Sequence, residues 1–287
     1  MAIIVTGGCG FIGSTLIKNL IEENEKVINV DKLTYAADKK NLEKLSNNKK
    51  YTFVKGDIND LEFIRKIFRK HKPKAIIHLA AESHVDKSIS NPTEFINTNV
   101  LGTFNLLEAS KEYMDDEISL FSQFKFIHIS TDEVYGSLDK DSKSFTEESL
   151  YLPNSPYSAS KAASDHLVRS YYKTYKLPTI ITNCSNNYGP NQYPEKLIPL
   201  TIKNLILKKQ IPIYGNGLQI RDWLHVDDHS KAIIKILYKG EPGKKYNIGG
   251  SNELSNIYLV KKICSIFDQI KKNPLNHSNK LITYVDD

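Results

Sequence analysis

The chain has 287 residues, 40% of them hydrophobic and 25% charged, with a formal net charge of +6. That composition excludes a disordered or fibrous chain and suffices for a sizeable core. The lysines are scattered among Asp and Glu, with no basic stripe, zinc-finger spacing or RNA-binding signature, so nucleic acid is not an expected partner. Cys9, Cys184 and Cys264 are few, odd in number and far apart, which argues against a disulfide framework or a metal site and for a reducing compartment. No apolar run reaches the roughly 18 residues of a membrane span. The chain enters a strand by Ala2 with no leader before it. A soluble, cytoplasmic protein without membrane contact is expected.

In chain order, Ala2–Thr6 predicts a strand and Gly13–Glu23 a helix. Strands follow at Lys26–Val30 and Tyr51–Val54, a helix at Leu61–Lys70 and a buried strand at Ala75–Leu79. Phe95–Glu112 reads as one long helix and Phe124–Ser130 as a strand. Ser155 and Pro156 open a helix to about Tyr175, with Ser as N-cap and Pro in the first turn. Thr179–Thr182 is a further strand. Such alternation predicts an α/β fold, a Rossmann-like doubly wound parallel sheet over residues 1–183. After Asn183 the pattern loosens. Helices are expected near Glu195–Lys208, Asp227–Lys239 and Ser255–Asp268, and strands near Ile211–Tyr214 and Leu281–Val285; Lys271–Asn279 reads as a loop. Residues 184–287 are expected to form a smaller substrate-binding region, interleaved with the first and partly returning to the main sheet.

Gly7-Gly-Cys-Gly10-Phe-Ile-Gly13 follows the first strand and opens the first helix. Glycines there let the backbone approach a pyrophosphate, which a helix N-terminus attracts. Asp31 ends the second strand, where a carboxylate accepts hydrogen bonds from ribose hydroxyls and repels a 2′-phosphate. NAD is therefore expected over NADP, although Lys32 is adjacent. Asp57 and Ile58 end the third strand, where adenine would lie; Asp57 could equally cap a loop.

Tyr157 and Lys161 stand four apart on one predicted helix, so they share a face. An ammonium beside a phenol is expected to lower its pKa, suiting it to take a proton from an alcohol that loses hydride. Thr131, Asp132 and Glu133 sit at the carboxyl end of a strand, the edge at which open α/β sheets bind ligands. Two adjacent carboxyl groups can serve as acid and base, so the alcohol oxidation reads as the first step of an elimination. His78 reads as a satisfied core histidine, and His84 as a residue lining the site. Arg221 suits a diphosphate, or pairs structurally with Asp222.

Together these residues resemble the extended short-chain dehydrogenase/reductase family and, within it, the dTDP-glucose 4,6-dehydratases. The resemblance is carried by Thr6–Ser14, Asn29–Tyr35, Leu79–Asp86, Ser130–Gly136, Asn183–Pro190, Pro194–Pro199 and Gln219–Trp223. It implies oxidation of a nucleotide-linked glucose at C4 by Tyr157. Glu133 and Asp132 would then eliminate water, and hydride would return to C6 from a tightly held NAD. It places Gly7, Gly10, Phe11, Ile12, Gly13, Asp31, Lys32, Leu33, Thr34, Asp57 and Ile58 on the cofactor side, together with Tyr157 and Lys161. Leu79, Ala80, Ala81, Glu82, Ser83, Thr98 and Asn187 join them. It places Ser83, Thr131, Asn186, Lys196, Leu197, Tyr214, Arg221 and Asn256 against the substrate, where His84 is expected from its own position. A homodimer through the helices at Phe95–Glu112 and Tyr157–Tyr175 is implied too.

Two departures stand out. Cys9 replaces the alanine usual in the glycine loop, with little effect expected. The family also continues, after the strand ending near Asp287, into a segment whose Arg binds the diphosphate. A 4-epimerase shares the glycine loop and the Tyr/Lys pair but has no use for Asp132 and Glu133. A non-catalytic NAD-binding scaffold would have no use for Glu133 either. No motif separates dTDP from UDP.

Overall fold

Apolar runs of the first half fold as buried parallel strands. The computed structural model describes residues 1–116, 124–138 and 143–286. The chain divides into two units, Met1–Cys184 with Asp227–Ile248, and Ser185–Val226 with Gly249–Asp287. The first unit begins with β1 (Ile3–Thr6), α1 (Phe11–Glu22), β2 (Val27–Asp31), β3 (Tyr51–Lys55), α2 (Leu61–His71) and β4 (Ala75–His78). It continues through α3 (Val85–Ser90), α4 (Pro92–Phe95), α5 (Gly102–Asp116), β5 (Lys125–Thr131), α6 (Pro156–Tyr175) and β6 (Thr179–Cys184). The second unit takes β7 (Asn186–Tyr188), α7 (Leu197–Leu207), β8 (Ile211–Tyr214) and β9 (Ile220–His225). The chain returns to the first with α8 (Val226–Lys239) and β10 (Lys245–Ile248). It closes in the second with β11 (Glu253–Ser255), α9 (Asn256–Lys271) and β12 (Ile282–Val285).

Seven strands of the first unit form one sheet in the order β10-β6-β5-β4-β1-β2-β3, every pairing parallel. Parallel neighbours require crossover connections, which the helices supply. β1, β2, β4 and β6 are buried at every position, the mark of a sheet covered on both faces. On one flank Ile64, Ile67 and Phe68 of α2 pack with Leu106, Tyr113 and Met114 of α5 and with Phe124 and Phe126. Each such side chain contributes ~1.5–3 kcal/mol by burial. His78 lies in this sheet, 1% exposed, with its ring nitrogens 2.8 Å and 3.0 Å from the hydroxyls of Thr6 and Thr103.

In the second unit β11-β9-β7 make one small sheet and β12-β8 another. Leu205, Ile211, Ile213, Val260 and Cys264 form its core. Among the described residues no helix is long and apolar enough to cross a membrane.

Three features differ from the sequence expectation. The long helix at Phe95–Glu112 is three pieces, because six residues, Ile96–Leu101, form a wider π turn between α4 and α5. Asn99 in that turn is buried and bonds backward to the backbone of Glu82, an inward demand that apolar periodicity does not reveal. Strands β7, β9 and β11 are short and largely polar, so alternation did not mark them. Lys271–Asn279 holds the end of α9 and the start of a 3-10 turn at His277–Leu281.

Candidate active site

Around the turn from β1 into α1, Gly7, Gly8 and Gly13 have no room for a side chain. Gly7 has φ +72°, and a Cβ there would lie 2.7 Å from the Ala80 nitrogen; one on Gly13 would lie 2.4 Å from the Gly7 carbonyl. Gly10 caps α1 without a side-chain hydrogen bond, so the first helical amides are left for an anion. Cys9 is fully buried, and its thiol is pushed up to about 11, first by burial and then by Asp31.

Asp31, at the end of β2, accepts from the Cys9 amide and from the Leu33 amide, each at 2.8 Å. It therefore clamps the glycine loop to the following loop, a role its position in the sequence did not show. Lys32 pairs with Asp57 at 2.7 Å, and Asp57 also accepts from the Asn59 amide at 3.0 Å, so the loop-cap role is present. The Ile58 carbonyl accepts from Asn105 at 3.1 Å. After β4, the amide and carbonyl of Glu82 are both bonded by the Asn99 side chain, at 2.8 Å and 3.0 Å. Thr98 lies beside it in the π turn. A glycine cradle, a bare helix start and a carboxylate ending β2 fit a dinucleotide with free ribose hydroxyls.

β5 ends at Thr131, whose hydroxyl caps the 3-10 turn Asp132–Tyr135 by accepting from the Glu133 amide at 3.2 Å. The same hydroxyl lies 3.4 Å from the Asp132 carboxylate, and its effect on the Tyr157 phenol is to lower the pKa. Tyr157 stands in the first turn of α6, edge-on to Phe95 at 6.3 Å. Thr131, Asp132, Glu133 and Tyr157 are thus gathered at the carboxyl end of β5.

The electrostatics correct one expectation. The Tyr157 phenol is held well above its usual value, first by burial and next by the charge of Glu133. The Lys161 ammonium donates to the Ile129 carbonyl at 2.8 Å. Burial brings Lys161 down to about 8. His84 is the N-cap of α3, its ring accepting from the Lys87 amide at 3.5 Å.

The match to known proteins covers all of this. A family model described as GDP-mannose 4,6 dehydratase matches residues 4–286. The dTDP-glucose 4,6-dehydratase of Escherichia coli is 52% identical over 303 residues, spanning 100% of this chain and 83% of that protein. The chain belongs to the dTDP-glucose 4,6-dehydratase family. A Bacillus anthracis member of the family, solved in complex with NAD, superposes with a TM-score of 0.87 at 45% identity, covering 100% of this chain and 85% of that one. A Thermotoga maritima UDP-glucose 4-epimerase shares the fold at a TM-score of 0.84 but only 30% identity, over 100% of this chain and 86% of that one.

In this family member the second unit carries the remaining candidates. Asn186 and Asn187 lie on β7, opposite Trp223 and Leu224 of β9. Arg221 lies on β9 opposite Leu254, and Asn256 follows directly after the Ser255–Ile220 pair. Asp222 accepts from the Gly250 and Asn252 amides at 2.6 Å and 2.8 Å. Its carboxylate thus holds a loop rather than serving as a dedicated partner of Arg221. Lys196 and Leu197 begin α7, and Tyr214 ends β8 with its ring exposed. Asp165, Asn183 and Asn99, which tie the first-unit site together, were missed in the sequence; only Asp165 had a signal, its place one turn after Lys161.

Proposed function

We propose that this chain dehydrates a nucleotide-linked glucose, with dTDP-glucose favoured, to the 4-keto-6-deoxy sugar. The observation that carries the reading is the carboxylate pair Asp132 and Glu133, held on the Thr131-capped turn beside the Tyr157 phenol. Tyr157 takes the proton of the C4 hydroxyl. The C4 ketone acidifies C5, Glu133 removes the C5 proton, and Asp132 protonates the departing C6 hydroxyl, so one water is lost. When bound, NAD supplies the hydride acceptor and donor, and in its oxidised form a positive charge. The Gly7–Gly13 loop and the start of α1 would hold its pyrophosphate and Asp31 its ribose. Asp57, Ile58, the Leu79–Ser83 segment and Thr98 complete that side. Arg221, Lys196, Asn186, Leu197, Tyr214 and Asn256 are assigned to the nucleotide sugar, with Arg221 on the diphosphate.

A homodimer is also proposed, supported by the exposed apolar side chains of Ile96, Leu101 and Phe104; light scattering tests it. A cytoplasmic setting is supported by the three buried cysteines, none of them in a disulfide among the described residues. The functional test is incubation with dTDP-glucose and separately UDP-glucose, followed by mass spectrometry. Loss of one water supports the reading and ranks the bases. An unchanged mass with a new C4 epimer would replace it with the epimerase.

A further inference from the structure

Further along the face of α6 that carries Tyr157 and Lys161 lies a second charged group that the proposed chemistry does not use. Asp165 is one helical turn beyond Lys161 and 2% exposed. One carboxylate oxygen accepts from Tyr151 at 2.7 Å, from Ser130 at 2.9 Å and from Asn183 at 3.2 Å. The other lies 3.2 Å from His128 Nε2. Asn183 donates also to the Thr131 carbonyl at 3.0 Å. These partners come from β5, β6 and the segment before α6, so one buried carboxylate joins the elements around Thr131, Asp132, Glu133, Tyr157 and Lys161.

We propose that Asp165 is a positioning residue of the dehydratase site, anchoring the strand end that carries Thr131, Asp132 and Glu133 while its negative charge balances the buried Lys161 ammonium. The inference rests on the reading of Tyr157 and Lys161 as the C4 oxidation pair. A carboxylate this enclosed stays ionised only with donors around it. Burial disfavours the charge, but His128, Lys161 and Tyr151 outweigh it and hold the carboxyl below its usual range. Lys161 in turn faces few groups that titrate. His78 comes from β4, His128 from β5 and Cys184 from β6, with Tyr157 and Asp165 on its own helix. Burial keeps both histidines below their usual range, so neither adds positive charge at neutral pH. Tyr135, Tyr151 and Lys245 complete the groups facing Asp165. Asp165 thus offsets part of what burial costs the Lys161 ammonium.

The test is Asp165→Asn, which keeps shape and removes charge, compared with wild type for turnover of dTDP-glucose across pH. The alkaline limb, where Lys161 loses its proton, is expected to move down by about one pH unit. Turnover at neutral pH should fall about tenfold, with partial return in Asp165→Glu. A folded Asp165→Asn protein with an unmoved limb would overturn the charge role, because a structural residue alone shifts melting and not the limb. Ser130→Ala keeps the charge and cuts one anchor, so turnover should drop about threefold with the limb in place. Unchanged turnover there would overturn the anchoring role, even if Asp165→Asn does not fold. Tyr157→Phe separates the two layers. If it retains turnover, the oxidation reading fails; if it is inactive while both Asp165 and Ser130 variants match wild type, only this proposal fails.

Discussion

Lys32 and Asp57 form an ion pair of 2.7 Å directly after β2 and β3. The cation that could have welcomed a ribose 2′-phosphate is thereby matched to a carboxylate, while Asp31 beside it keeps its own. Lys32→Ala is expected to leave the preference for NAD over NADP intact. Asp31→Ala should lower NAD affinity roughly 10–100-fold, since hydrogen bonds to a charged group contribute ~1.5–3 kcal/mol. Binding titrations with both dinucleotides check this; tighter NADP binding in Lys32→Ala would contradict it.

Gly13→Ala places a methyl 2.4 Å from the Gly7 carbonyl. Relief requires the loop to move, at about 1–3 kcal/mol. The variant should melt several degrees lower and purify with little cofactor. Full NAD content after purification would show that the loop tolerates the methyl.

Glu133→Gln removes the base assigned to C5. Turnover should fall roughly 10²–10⁴-fold, and solvent deuterium should no longer enter C5. Asp132→Asn should fall comparably yet keep C5 exchange, because its proton acts at C6. NMR of the recovered sugar nucleotide distinguishes the two; C5 exchange persisting in Glu133→Gln would assign the base elsewhere.

Acid stability follows from the buried histidines. Burial, helped by the Lys161 charge, pushes His128 down to about 4, and burial alone does the same to His229. Between pH ~6.5 and ~4 the unfolded chain therefore takes up protons that the folded chain refuses. Stability present above pH ~6.5 should be lost progressively as pH falls to ~4, by about 3 kcal/mol per histidine. Urea unfolding at pH 7 and pH 5 measures it. His229→Leu should flatten the slope by one proton, and an unchanged slope would show that His229 is not protonated on unfolding.

Arg221→Ala is expected to raise KM for the nucleotide sugar about 10–100-fold with little change in kcat, as for loss of one bidentate, charge-assisted contact. An equal fall in kcat would place Arg221 nearer the chemistry than the diphosphate.

Much of the first unit was legible because its signals are local. Four-residue apolar runs gave β1 and β4, and Ser155 with Pro156 fixed the start of α6 to the residue. The grouping of Thr131, Asp132, Glu133 and Tyr157 was legible because strand ends and a four-residue spacing are sequence-local as well. What escaped depends on distant partners. Asn99 looks like any polar helical residue until Glu82 lies beside it, and Asp165 reads as a surface aspartate until Ser130, Tyr151 and Asn183 converge on it. The direction of the Tyr157 shift was misread for the same reason. Spacing put Lys161 on its face, but the Ile129 carbonyl engages the ammonium, and Glu133 and burial decide the phenol.

The chain passes between its two units three times, at Cys184–Ser185, Val226–Asp227 and Ile248–Gly249. If the second unit holds the sugar nucleotide as proposed, re-specifying it by borrowing that unit from a relative means grafting two separate stretches at three joints. The middle graft boundary falls inside α8, between its first and second residues. Recombination at a single crossover would instead split β11, α9 and β12 from the β9 edge on which β11 pairs. Useful chimaeras in this family are thus double-insert designs, and single-crossover libraries should be dominated by unfolded members.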